Sequence, residues 1–269
     1  LLLEGGRFDE AAETLELAVE LDQERAEAWA DLGEAELRRS RWQAARDAFK
    51  RAVELSPKSG VAYAGLGRAL MGLGRGGEAV EQLKRGLDVA TDPDAVRFAV
   101  GWVLLRDGRD AEALPYLEAH VREHEADARG QLALGVARLR LGAIPEAATA
   151  LRRAVELKAD VPAAFYDLAM AEFSLGRTDA ALAAFRKATQ LSFGQWEAHC
   201  ERGRLLYRLG RPEDALADLR SALEIHPDVP TAQGLLAAPP NSTTAELIAG
   251  GHPKNISAIW DYYDNIELA

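Results

Sequence analysis

The chain has 269 residues, 48% hydrophobic and 28% charged, with a formal net charge of -11. That acidic balance argues against nucleic acid as a partner, since phosphate-backbone binding needs a basic stripe, and no apolar run approaches membrane-spanning length. A single cysteine, Cys200, excludes an internal disulfide framework and fits a reducing, cytoplasmic compartment.

From the first residues onward, alanine falls on a fixed beat, at Ala11, Ala45, Ala79, Ala113, Ala147, Ala181 and Ala215, each thirty-four residues after the last. A period of that length without insertion or deletion marks one supersecondary unit copied along the chain, and such a unit buries its apolar face only against a neighbour. Residues 1–25 are read as a partial repeat, the end of one helix followed by a complete second helix. Six full units span residues 26–229, and residues 230–238 begin a seventh. Because Leu1 falls inside a helix and no initiator methionine precedes it, the chain reads as an excerpt of a longer protein.

Within each unit, numbered from Ala26, position 8 is small (Gly33, Gly67, Gly101, Gly135, Ala169, Gly203) and position 24 is large (Phe49, Leu83, Leu117, Leu151, Phe185, Leu219). Small residues at 8 and 20 let two antiparallel helices approach, and the side chain at 24 fills the space beyond. Glycine at position 15 (Gly74, Gly108, Gly142, Gly176, Gly210) suits the positive φ that ends a helix, so each unit is predicted to be helix, tight turn, helix. Pro162 and Pro230 open first helices, and Pro145 and Pro212 open second ones, where a missing N–H costs little. Pro115 sits deeper and is expected to perturb the start of its helix.

These residues resemble the tetratricopeptide repeat family, whose pattern sets an aromatic at 4, Leu-Gly at 7 and 8, and Ala at 20. Ala28-Trp29-Ala30-Asp31-Leu32-Gly33 follows it closely, and Val61-Ala62-Tyr63-Ala64-Gly65-Leu66-Gly67 repeats it. Arg97, Gln131 and His199 depart from it by replacing the aromatic at 4. The resemblance covers residues 1 to about 238 and implies an all-α fold, a right-handed α-solenoid of some fourteen helices. It also implies that first helices line a concave face, with positions 2, 5, 9 and 13 turned toward a ligand. On that reading Phe98, Trp102, Leu132, Val136, Tyr166 and Met170 form an apolar strip, edged by Arg68, Arg106, Arg129, Arg140, Arg204 and Arg208. Such a strip suits an aromatic, acidic peptide. Position 12 is apolar throughout and reads as packing between units. The Lys and Asn clamp of chaperone-binding members is absent, its places holding Ala30, Glu34, Gly65, Ala95 and Ala99.

Composition changes at Pro239. Asparagine is absent before it and arginine after it, so the last stretch reads either as a natural terminal segment or as a partner's peptide joined to the domain that binds it. Residues 239–254 are linker-like. In residues 255–269, Ile256, Ile259, Trp260, Tyr263 and Ile266 recur at helical steps, with Asp261 and Asp264 turned elsewhere, predicting a short amphipathic helix. This is the candidate ligand segment, binding in cis or to a neighbouring copy. The plainer reading is an extra capping helix.

Chemistry is thin. His120 and His124 have a spacing that can hold one metal, but no third ligand is evident in the sequence, and irregular packing is the preferred reading. Cys200 beside His199 makes no activated thiol, because adjacent helical residues diverge. Asn241-Ser242-Thr243 and Asn255-Ile256-Ser257 match glycosylation acceptors, common by chance. No cofactor, metal or catalytic constellation is expected. The leading function is a non-catalytic scaffold that binds a partner's peptide, from a bacterium on compositional grounds. The alternatives are a regulatory array excised from a larger enzyme, and a self-assembling scaffold whose tail enters a neighbour's groove.

Overall fold

The computed structural model describes residues 5–158, 160–192 and 196–237. In chain order its helices are α1 (Phe8–Leu21), α2 (Ala26–Arg38), α3 (Trp42–Leu55), α4 (Gly60–Gly72), α5 (Gly76–Val89), α6 (Asp94–Arg106), α7 (Asp110–Glu123), α8 (Ala128–Arg140), α9 (Ile144–Leu157), α10 (Pro162–Ser174), α11 (Thr178–Leu191), α12 (Trp196–Arg208), α13 (Pro212–Ile225) and α14 (Pro230–Ala237). No strand occurs among the described residues. First helices begin at 26 and every thirty-four residues after it, second helices likewise from 8. The chain is an all-α solenoid of helix pairs, and it divides after Ala137 into two compact units.

In the first unit α3 lies between its own first helix and the next one, packing on α2 and α4, and α5 likewise packs on α4 and α6. The second unit repeats this, α11 packing on α10 and α12, and α13 on α12 and α14. The close approach has the predicted cause. A Cβ on Gly33 would lie 2.7 Å from the Phe49 ring, and one on Gly67 or Gly101 equally close to Leu83 or Leu117. The alanines at position 20 are buried from Ala11 to Ala215. Gly74, Gly108, Gly142, Gly176 and Gly210 all have φ between 71° and 80°, and Ser40 takes the same place in the first full repeat with φ 56°. Pro115 lies inside α7, which runs from Asp110 to Glu123. The proline withholds one N–H near the helix start, and the remaining ladder carries the turn.

Two polar regularities were not visible as such in the sequence. In three repeats the position-4 side chain donates to the carbonyl six residues back, from Trp29 Nε1 to Gln23 at 3.0 Å, Gln131 Nε2 to Glu125 at 2.9 Å and Gln233 Nε2 to Pro227 at 2.8 Å. Gln131 therefore keeps the tryptophan's hydrogen bond while losing its ring. The second regularity sits at the N-cap of the second helices. Arg7, Arg75, Arg109 and Arg211 each reach the acid three residues on, Glu10, Glu78, Glu112 and Asp214, at 2.6 to 2.8 Å. Where that acid is alanine, at Ala44 and Ala180, the first helix carries a buried glutamate instead, and Arg41 and Arg177 lie 3.8 and 3.2 Å from Glu36 and Glu172.

Candidate functional site

The residues assigned to a binding strip fall on first helices in both units. In the first unit, Phe98 and Trp102 stand one turn apart on α6, their rings stacked at 6.2 Å and 18°. The Arg129 guanidinium lies 5.6 Å from the Phe98 centroid, and the His120 ring 4.9 Å from it. His120 fits there because Gly130 leaves room; a Cβ at Gly130 would come within 2.8 Å of the imidazole. His120 Nε2 shares a hydrogen bond of 2.9 Å with Asp127. Burial works to raise the Asp127 carboxyl, but the bond to His120, the Arg129 guanidinium and the Arg129 backbone N–H outweigh it and hold the group at about 2. Trp102 and Arg106 are half-buried, Arg129 is exposed, and Leu132 and Val136 are buried.

Arg68 is not a rim charge alone. It pairs with Glu34 at 3.0 Å, and Arg38 pairs with the same carboxylate at 2.6 Å. Burial tends to raise Glu34, but the two guanidiniums prevail and its pKa is lowered.

In the second unit, Tyr166 packs edge-on against Phe185 at 5.8 Å, and Met170 is buried. Arg204, expected at the rim, is itself buried and pairs with Glu201 at 2.5 Å, while Arg208 lies over Phe173 at 5.2 Å. Sequence reasoning passed over the acids of this face. Asp167, beside Tyr166, is 4% exposed, and its Oδ2 accepts no hydrogen bond. Burial pushes its pKa up to about 7 against the lowering effect of Arg140. Burial also raises Glu197 and Glu201, and pushes the Cys200 thiol up to about 12, which leaves it protonated and inert. The signal that could have found these acids is their place at positions 2 and 6, beside those already singled out.

The His120 and His124 rings lie 4.9 Å apart, but their Nε2 atoms go to different carboxylates, Asp127 for His120 and Asp94 for His124. His124 bonds Asp94 at 3.2 Å, and Asp94, Glu123 and His124 come within 4.8 Å of one another. Arg97 already pairs with both carboxylates there, so the group reads as an ion-pair network at the surface. The candidate ligand residues, Ile256, Ile259, Trp260, Asp261, Tyr263, Asp264 and Ile266, lie outside the described residues.

Family comparison agrees with the repeat architecture. A tetratricopeptide repeat model matches residues 1–60, 132–194, 166–230 and 200–238, and a second such model matches 36–99. The chain belongs to the tetratricopeptide repeat family. A comparison with curated proteins gives no match. Among solved structures, this tetratricopeptide repeat protein is similar to a chain of the APC/C hetero-tetramer Cut9-Hcn1, at 21% identity and TM-score 0.74 over 87% of its own length. It spans 46% of that chain. PilF of Pseudomonas aeruginosa matches at 18% identity and TM-score 0.71, over 79% of this chain and 96% of its own. MamA of Desulfovibrio magneticus matches at 25% identity and TM-score 0.54, over 63% of this chain and 96% of its own. No helix among the described residues of the tetratricopeptide repeat protein is long and apolar enough to cross a membrane.

Proposed function

We propose that this chain is a non-catalytic protein-interaction scaffold whose first-helix face binds a short aromatic and acidic helical peptide. The observation that carries the reading is the stacked Phe98–Trp102 pair on α6 with the Arg129 guanidinium against it. An aromatic pair edged by guanidiniums offers a ligand both a large desolvated contact and charge-assisted hydrogen bonds. Membership in the tetratricopeptide repeat family supports the scaffold role.

The candidate occupant is the chain's own segment 255–268, whose Ile259, Trp260 and Tyr263 supply apolar anchors and whose Asp261 and Asp264 supply charge. A tether raises its effective concentration to roughly the millimolar range, enough to hold a weak ligand in cis. The test deletes residues 239–269, supplies them as a free peptide and measures binding by calorimetry. Trp260→Ala in the peptide should cost about 2 kcal/mol or more, as a buried hot spot does. No binding at millimolar peptide, or unchanged binding to a Trp102→Ala scaffold, overturns the reading.

A further inference from the structure

A cavity of about 490 Å³ opens among α1, α2 and α3, on residues that the strip does not use. Its walls include Trp29 and Leu32 on α2, Glu16 on α1, Arg41 before α3 and Asp47 on it, and Glu36 also lines it. Glu36 is 2% exposed. Its Oε1 accepts a 2.6 Å bond from Arg39, but its Oε2 is buried without a hydrogen bond, and Arg41 stays 3.8 Å away. A buried carboxylate oxygen in that condition costs free energy until a donor reaches it.

The chain itself shows what fills such a site. Glu172 holds the same register position, is equally buried and also has an alanine, Ala180, where other repeats have an acid. There both oxygens are met, one by Arg177 and the other by Arg152, which comes from the preceding second helix, α9. The residue of α1 that corresponds to Arg152 is Glu16. The first repeat thus carries the glutamate and the second arginine but has an acid where the filling guanidinium belongs. In the later repeat around α12 the matching cavity is only about 200 Å³; Arg186 stands there in the place of Arg152, and Asp214 and Asp218 on its wall are already paired with Arg211 and Arg202.

We propose that the α1–α3 cavity is a docking site for an arginine side chain of a partner protein, seated against Trp29 and bonded to Glu36. Charge complementarity favours that occupant, because the exposed Glu16 adds a second carboxylate to the lining beside Glu36, while the other charges there are engaged, Asp47 by Arg46 at 3.0 Å and Arg51 by Glu24 at 3.0 Å and Glu54 at 3.4 Å. A planar guanidinium can stack on the indole and bond the carboxylate together. Arg41, at 3.8 Å, makes no hydrogen bond to Glu36 Oε2 and leaves the place for a donor open. The site is independent of the strip on α6.

The test uses the full chain and the probe Nα-acetyl-arginine amide, followed through the Trp29 indole N–H resonance, which is assigned by its loss in Trp29→Phe. The probe should shift that resonance and saturate, with Nα-acetyl-norleucine amide giving no shift. Glu36→Gln should weaken binding at least roughly tenfold, as loss of a charge-assisted hydrogen bond does. Glu16→Arg, an exposed change that copies Arg152, should fill the cavity from within, abolish the shift and raise the melting temperature. No shift up to the solubility of the probe, an equal shift from the norleucine amide, or undiminished binding to Glu16→Arg overturns the proposal.

Discussion

Ser40 and Asp167 show how much a single residue can hold in tension with its surroundings. Ser40 has φ 56° where every comparable turn uses glycine. A side chain in that conformation meets its own backbone, so Ser40→Gly should stabilise the fold by about 0.5–1 kcal/mol in urea unfolding. Asp167, which is buried, and Asp127, which is half-buried, are acids shifted in opposite directions. Asp167 is raised from 3.8 to about 7, so the unfolded chain gives up this proton at lower pH than the folded one, and stability falls as pH rises from about 4 to about 7. The stability difference between Asp167→Asn and the parent should therefore shift in the variant's favour by on the order of 2–4 kcal/mol across that window and then level off. Asp127 is lowered from 3.8 to about 2, so its contribution is present above about pH 4 and is lost as pH falls toward 2. Asp127→Asn should cost about 2 kcal/mol near neutrality and almost nothing at pH 2. Denaturation curves collected across pH for each pair measure both effects, and a pH-independent difference would refute either.

At the scale of the helix pair, the contact that repeats along the chain is backbone against ring or branched side chain. A Cβ on Gly65 of α4 would lie 2.2 Å from Phe49 of α3, closer than any real contact. Alanine is the better helix former by about 1 kcal/mol, yet Gly65→Ala should destabilise by about 1–3 kcal/mol, because the buried ring has nowhere to go. Phe49→Leu in the same chain should recover part of that loss, a non-additivity that a double-mutant cycle reads directly. If Gly65→Ala is neutral by thermal unfolding, the helices are not held at this distance. Arg41 and Arg177 make the same point for charge. Their side chains turn from the usual acid to Glu36 and Glu172 because Ala44 and Ala180 leave no nearer partner.

Across the whole chain, stability in a repeat array is a sum of local and neighbour contributions. Ala147 of α9 is fully buried. Ala147→Leu should overpack that helix and cost about 1–3 kcal/mol. Because the damage is local, amide exchange should accelerate in α9 and α10 while α2 to α5 keep their protection. Uniform loss of protection would instead mean that the chain unfolds as one block. Charge is distributed as unevenly as stability. The candidate strip on α6 has Arg129 over its Phe98 ring, whereas the equivalent face of the second unit buries Asp167 and Glu201 near Tyr166. A net charge of -11 conceals that contrast.

Helix boundaries, turn glycines and the small-against-large contact were legible in the sequence because each depends on a few residues at fixed spacing, and the thirty-four-residue register repeats them often enough to be read. Phe98 and Trp102 were singled out only through the family resemblance, and that their rings stack came with the structure. The sequence alone did not decide which charges remain available. Arg204 reads as a rim cation until Glu201 is seen beside it in the interior, and Arg68 until Glu34 is seen shared with Arg38. Nor did it decide that Glu36 keeps one oxygen unmet while Glu172 has both engaged. A pairing of that kind depends on which side chain a neighbouring helix sends across, and distances of 3 Å between helices exist only once the helices have packed.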